Sequence, residues 1–549
     1  MLAAFAAGCT LGPDFQPPAV QAPGAWKARA GAAPGAAEPL PERWWTLFRD
    51  EELAQLVERA LLHNEDLQAG FARVEQARAF AAIARAAQLP FVSIDPSIER
   101  ERFSANRSAP PGTARGAYTT TTYELPLDVS YEVDLWGRLR RAREAAEAAA
   151  QASAHDQAAL SLAISSEVAR TWISVRSARR EEEVLREGAE LRQRVLDIAE
   201  GRSRAGIGND LDTSRARTEL ATVQAGQHGV ARARAALENA LAVLCGEAPA
   251  DFTTASSGPR APGAGDVPAG PRIADGAVDQ TAMRRPVTGA GSADGAGAAG
   301  GADIGAGADA AARAGPAAGP EVTASPDEPL VTLPAVPAGL PSELLQRRPD
   351  IAAAIERLHE ASAEIGVAQA EAWPRLSLTG AAGFVSTELS HLFDAGSRAW
   401  LLGAAGSAPV YAGGAFDARI LAARAACDER AADYRGTLLV AFREVEDALS
   451  ALAELDAEIG LQGQAHADAR RTFELADARY RQGLVGFLDV VDAARAELDA
   501  RRAIVQLQGL RAESTVLLIQ ALGGGWSAES QAAAQAPVAD AACPLPARG

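Results

Sequence analysis

Residue types that carry out chemistry are sparse in this chain, and none of them sits at a spacing that chemistry needs. The six histidines, His63, His155, His228, His359, His391 and His466, stand singly, and no HExxH pair is present. The four cysteines, Cys9, Cys245, Cys427 and Cys543, have neither CxxC nor metal-ligand spacing. A Cys245–Cys543 disulfide is open to an exported chain but has no support in the pattern. No GxSxG nucleophile turn occurs, and the run GAGSADGAGAAGGADIGAG, although glycine-rich like a phosphate loop, follows no strand and is low in complexity. Met1 and Met283 are the only methionines, so a thioether route for soft metal ions has no basis. The sequence therefore predicts no enzyme, no metal and no cofactor. What remains is electrostatic: Asp492 and Arg495, three apart, would share one helix face, with Leu488 one turn before. On sequence alone such a pair is an ordinary surface contact worth a few tenths of a kcal/mol.

Composition narrows the class. The formal net charge of −18 excludes a nucleic-acid partner, whose phosphates need a basic footprint. Aromatic residues make up 5% of the chain, and Ala, Arg, Glu and Leu dominate, which points to long packed helices. No apolar run approaches the ~20 residues of a transmembrane helix. A membrane role would therefore need strands or a lipid.

One stretch organises the rest. In YELPLDVSYEVDLWGRLRR, Tyr123, Leu125, Leu127, Val129, Tyr131, Val133 and Leu135 alternate with polar residues and Pro126, the pattern of a strand with one apolar and one wet face. At Trp136, Gly137 and Arg138 the period breaks, and a helical run without proline continues to about Ser203, on the order of 100 Å at 1.5 Å per residue. A helix of about 50–88 precedes a first strand over 90–103, whose antiparallel partner is 118–135. Gly206 and Gly208 mark a turn, and a second helix of about 211–244 returns. The pattern then recurs. A helix opens near Leu340, strands follow over 374–386 and 400–411, and Gly413 and Gly414 stand where Gly137 stood. A long helix reaches Arg481, YRQGLVGFLD supplies a turn at Gly483 and Gly486, and a last helix ends near Leu522.

The organisation expected is a leader remnant over 1–8, an extended segment over 9–48 and a first repeat over 49–249. A Gly/Ala/Pro-rich linker over 250–338 follows, largely disordered because it offers too little apolar burial, then a second repeat over 339–524 and a loose tail over 525–549. Four strands cannot close a barrel, and lipid tolerates no open sheet edge, so copies of the chain must share one. Closure alone permits a dimer of eight strands or a trimer of twelve.

YEVDLWGRLRRA, LLQRRPDIAAAIERLHEASAEIGVAQAEAWPRLSLTG and YRQGLVGFLDVVDAARAEL resemble the outer-membrane factor (TolC-like) family, nearest its RND efflux lipoproteins. The resemblance implies a mainly α homotrimer in which a twelve-strand β-barrel continues into a twelve-helix α-barrel. It implies a passive gated duct serving a periplasmic adaptor and an inner-membrane RND-type pump in a Gram-negative bacterium. MLAAFAAGC resembles a lipobox, and CTLGPDFQPP the mature start of such lipoproteins, which implies a covalent N-terminal lipid on Cys9 in the outer membrane. Matched onto the family pattern, Leu488, Asp492 and Arg495 fall at the periplasmic gate. Gly206, Gly208, Gly483 and Gly486 fall at the tips that contact the adaptor, and Trp136, Gly137, Arg138, Gly413 and Gly414 at the strand-to-helix junctions. Two other readings stand beside this one: a duct for type I protein secretion, and a periplasmic coiled-coil scaffold without a pore, against which the amphipathic strands argue.

Overall fold

The computed structural model describes residues 10–20, 22–27, 40–106, 116–253 and 330–527. Two compact units divide the chain, Met1–Phe252 with Pro326–Gly549, and Thr253–Ser325. All the elements belong to the first; of the second, only Thr253 is among the described residues. Residues 254–329 of the linker expected to be largely disordered, the leader remnant, Cys9, Cys543 and the tail beyond Ser527 lie outside them.

The repeat is metrical. In the first half, α1 (Glu51–His63) and α2 (Glu65–Ala86) lead into β1 (Phe91–Ile94), β2 (Ser97–Phe103) and β3 (Tyr118–Val133). Then come α3 (Arg138–Arg204), of 67 residues, and α4 (Asp210–Leu244), of 35. In the second half, α5 (Leu344–Arg347) and α6 (Pro349–Glu371) lead into β4 (Arg375–Ser386) and β5 (Arg398–Ser407). There α7 (Ala415–Arg481) again has 67 residues and α8 (Phe487–Ala521) again 35.

Three expectations shift. The single helix of about 50–88 is two, because Asn64 takes extended backbone and its side-chain oxygen accepts from Leu67 N at 3.1 Å, starting α2 afresh. The strand over 90–103 is interrupted at Asp95 and Pro96, which lie across from Pro126 and Leu125. The two prolines have no N–H to give, yet Ile94↔Leu127 and Ser97↔Glu124 keep one register on either side. The fourth strand lies over 398–407 rather than 400–411. Its Ala/Gly-rich sequence gives little alternation to fix the ends.

The linker also ends earlier than composition suggests. Val331, Val336 and Ala338 are buried in the main core with Trp44, Trp45, Phe48, Trp172 and Ile173. Cys245 lies in the same core, fully buried, where desolvation pushes its thiol up to about 11 and keeps it unreactive at neutral pH.

The helices pack in one layer. In the half next to the sheet the neighbours run α2–α3–α6–α7, and in the half toward the turns α4–α3–α8–α7. Ion pairs tie this second half: Glu181 of α3 accepts from Arg502 of α8 at 2.6 Å, while the adjacent Glu182 accepts from Arg234 of α4 at 3.0 Å. Successive residues of a helix point about 100° apart, so this acidic run reaches both flanking helices.

Each repeat is closed at one equivalent point. Asn64 donates to the Leu244 carbonyl at 3.0 Å, and Arg348 to the Ala521 carbonyl at 3.0 Å, the last residue of α4 and of α8. Just beyond, Gly246 and Gly523 have positive φ of 72° and 93°, and a Cβ there would lie 2.1 Å from the His63 oxygen and 1.8 Å from the Arg347 oxygen. Strain and collision add, so Gly523→Ala should cost at least ~2 kcal/mol. Gly229→Ala, in the open on α4, should be neutral or stabilise by up to ~1 kcal/mol. Thermal unfolding of the detergent-solubilised protein checks this, and equal midpoints for the two variants would refute the closure.

Candidate functional site: a two-faced sheet and paired helix tips

All strand pairs are antiparallel, in the order β1/β2–β3–β4–β5, and their register assigns every side chain to a face. One face aligns Ile94, Leu127, Ala382 and Trp400 across the sheet, then Val92, Val129, Gly380 and Leu402 in the next row. Tyr131 and Leu378 continue it, and Ile98 extends it beyond the interruption. Ile98 is 71% exposed, Trp400 78% and Leu402 79%, an apolar area that water does not tolerate. The opposite face carries Glu99, Glu101, Glu124, Asp128 and Glu132 with Ser93, Ser130, Ser377 and Thr379. Arg375 is the basic strand residue on that side among the described residues. Aromatic pairs mark both ends of the sheet. Trp136 and Trp373 lie 4.6 Å apart at the helix end, and Phe103 and Tyr118 lie 4.9 Å apart at the other end, where the register puts them on the acidic face. An apolar band confined to one face of an antiparallel sheet, with acidic residues on the other, is the pattern of a membrane-spanning barrel wall. The outer edges of β1/β2 and β5 have no strand partner among the described residues.

The expected junction residues lie where strand becomes helix. Gly137 and Gly414 occupy the same position, directly before α3 and α7, with φ of 81° and 83°, and Gly413 precedes with φ 59°. Trp136 Nε1 donates to the Pro374 carbonyl at 2.8 Å, joining the two repeats. Arg138 reaches back to Glu132 with bonds of 2.8–3.2 Å and removes that carboxylate from the polar face. Asp134, unremarked in the sequence, accepts from Leu139 N and Arg140 N at 3.2 and 2.9 Å, and so stands at the positive end of α3.

At the far end the two turns meet. Leu196, Ala199, Ala216, Leu220, Phe487 and Val491 form one apolar cluster drawn from α3, α4 and α8, and Arg202 lies 5.0 Å over the Tyr480 ring. The turns are built alike: Ile207 N donates to Arg202 O at 3.1 Å and Leu484 N to Arg479 O at 3.0 Å, each around a glycine of positive φ, Gly206 or Gly483. A Cβ on Gly208 would meet the Ser203 nitrogen at 2.5 Å, whereas Gly486, with φ −76°, needs neither space nor special backbone.

Leu488, Asp492 and Arg495 lie on one exposed stripe of α8, flanked by the buried Phe487 and Val491. Their pairing differs from the simple i,i+3 contact. The Arg495 guanidinium is bonded to Glu219 of α4, and that bond, more than Asp492, holds it above its ordinary value. Asp492 stands 3.9 Å from Arg495, with its side chain 61% exposed. Behind the stripe, Arg192 is buried and donates to the Gly188 and Ala494 carbonyls at 3.2 and 3.3 Å, and desolvation pulls its pKa down. His466 is buried too, 3.5 Å from Glu497. Glu219 had no sequence signal, because its partner lies 276 residues away.

The family profile described as "Outer membrane efflux protein" matches residues 56–247 and 340–524. Pyoverdine export outer membrane protein OpmQ of Pseudomonas putida is 30% identical over 496 residues, 90% of each chain. Outer membrane protein OprJ of Pseudomonas aeruginosa is 29% identical over 527 residues, 96% of this chain and 95% of its own. The outer-membrane channel OprN superposes with a TM-score of 0.76 at 28% identity, over 94% of this chain and 100% of that one. The Campylobacter jejuni CmeC channel, at 24% identity and a TM-score of 0.77, agrees in fold. With its two-faced sheet, continuous helix layer and paired tips, this chain belongs to the outer membrane efflux protein family.

Proposed function

We propose that three copies of the chain close into a passive, gated duct that carries solutes from a periplasmic adaptor and an inner-membrane RND-type pump across the outer membrane. The observation that carries this reading is the four-strand-wide sheet, apolar on one side, acidic on the other, and open at both edges above a helix layer with matching edges. Copies joined edge to edge satisfy the backbone, put Trp400 and Leu402 against lipid, and turn Glu124 and Asp128 toward water. A trimer gives twelve strands and, in both halves of the layer, twelve helices.

Nothing in such a duct requires catalysis. Relatives are named for pyoverdine export and for toluene efflux, unlike cargoes that suit a pipe whose selectivity resides in the pump. The paired turns at Gly206, Gly208, Gly483 and Gly486 would meet the adaptor. Leu488, Asp492 and Arg495 would form the constriction, with Arg495 latched to α4 through Glu219.

Planar bilayers test duct and gate together. The wild type should give small, cation-preferring channels, because the polar sheet face is acidic. Arg495→Ala and Glu219→Ala should raise conductance several-fold and sensitise cells to vancomycin, and Asp492→Ala should act more weakly. Bilayers that stay sealed would sink the duct. Unchanged conductance in all three variants at normal trimer levels would move the constriction elsewhere.

The lipid is tested apart. Expressed behind a full lipoprotein signal peptide, the chain should incorporate palmitate, and Cys9→Ala should abolish it. Label that persists in that variant would refute the assignment.

A further inference from the structure

The body of the protein builds a slot for the start of its own described chain. Leu11 N donates to the Trp136 carbonyl at 3.0 Å, directly beneath the Trp136–Trp373 pair. Arg141 of α3, its side chain only 5% exposed, donates to Leu11 O at 3.1 Å, Gly12 O at 3.4 Å and Asp14 Oδ1 at 2.7 Å. Its remaining contact is Glu144 at 2.8 Å.

Glycines make the fit close. Gly12 has φ 97°, and a Cβ on it would stand 2.5 Å from the Gly366 Cα of α6. A Cβ on Gly366 would stand 2.7 Å from Leu11 O, and one on Gly137 2.7 Å from the Thr10 methyl. Phe15 finishes the contact, stacked on His359 at 4.5 Å and 15°, while His359 Nε2 meets Glu144 at 3.0 Å. A buried guanidinium that spends most of its donors on one short segment is costly when that segment leaves, since the carbonyls and Asp14 are what replace its water. The geometry therefore selects for an occupied slot.

We propose that Arg141, Gly137 and Gly366 form a receptor for the segment Thr10–Phe15, with Arg141 as the positioning residue, so that this segment is held at the boundary between sheet and helices. Combined with the lipid reading of Cys9, on which this clause rests, the slot fixes where the acyl chains enter the membrane relative to the Trp136–Trp373 pair. The anchor is then a registered part of the wall rather than a loose tether.

Local proteolysis reads the slot directly. Lys27 is the only lysine of the chain and is exposed, so a lysine-specific protease has one native cut, which serves as an internal standard. Pro13→Lys places a second cut inside the slot. Cleavage there follows the fraction of time the segment is out. In the full-length, detergent-extracted protein, cleavage at position 13 should be slow relative to Lys27. Adding Arg141→Ala or Gly12→Val should raise the ratio at least tenfold, and Arg141→Lys, which keeps the charge but not the fork, should fall between. Gly12→Val lies on the segment itself, so it leaves the body intact if Arg141→Ala does not fold. Equal ratios in all backgrounds would overturn the slot, whatever the palmitate label shows. Absence of palmitate from the wild type, with the ratios changing as expected, would remove the lipid clause and leave the receptor standing.

Discussion

A β-sheet edge is a row of unpaired N–H and C=O groups, and hydrocarbon offers nothing to bond them. Every strand edge in a membrane must therefore be paired. One chain supplies a band of strands apolar on the face that carries Ile94, Leu127, Trp400 and Leu402, and neither edge has a strand partner among the described residues. In the proposed duct, copies of the chain complete the barrel wall that one chain begins. The helix layer repeats the logic in a form water permits, with α2 and α4 along one margin and α7 along the other in both halves.

The duplication explains how one chain meets both demands. Helices of equal length, 67 and 35 residues in each half, carry the two turns to the same level, where one apolar cluster gathers them. Where exact geometry matters, the halves use the same device with different residues. Asn64 and Arg348 both cap the returning helix, and Gly137 and Gly414 both stand where strand becomes helix. At the tips they diverge: Arg495 of α8 crosses to Glu219 of α4, so the two tips of one protomer are latched to each other.

Much of this was legible in the residues because the signals are local and long. From Tyr123 to Val133 the residues of β3 alternate strictly enough to show a strand, and 67 residues without proline leave α3 little alternative. The Ala/Gly-rich β5 has weak alternation, so its ends slid by a few residues. The break at Asn64 carried a capping signal, Asn-Glu-Asp, that the continuous apolar stripe outweighed. The buried part of 330–338 was masked by composition, since three small apolar residues among prolines read as linker until the core they fill is seen. Long-range pairing left no trace. Glu219 with Arg495, and Arg141 with Leu11–Asp14, join residues whose proximity only the fold creates.

In the proposed duct, open edges, one per margin, are joined by copies until none remains. Single-particle imaging of the detergent-extracted protein measures this most directly. The expected result is a particle of three protomers around one axis, with β1/β2 of each paired to β5 of the next and α2 and α4 of each against α7 of the next. A two-fold particle, or a monomer whose sheet edges stay unpaired in the micelle, would contradict it.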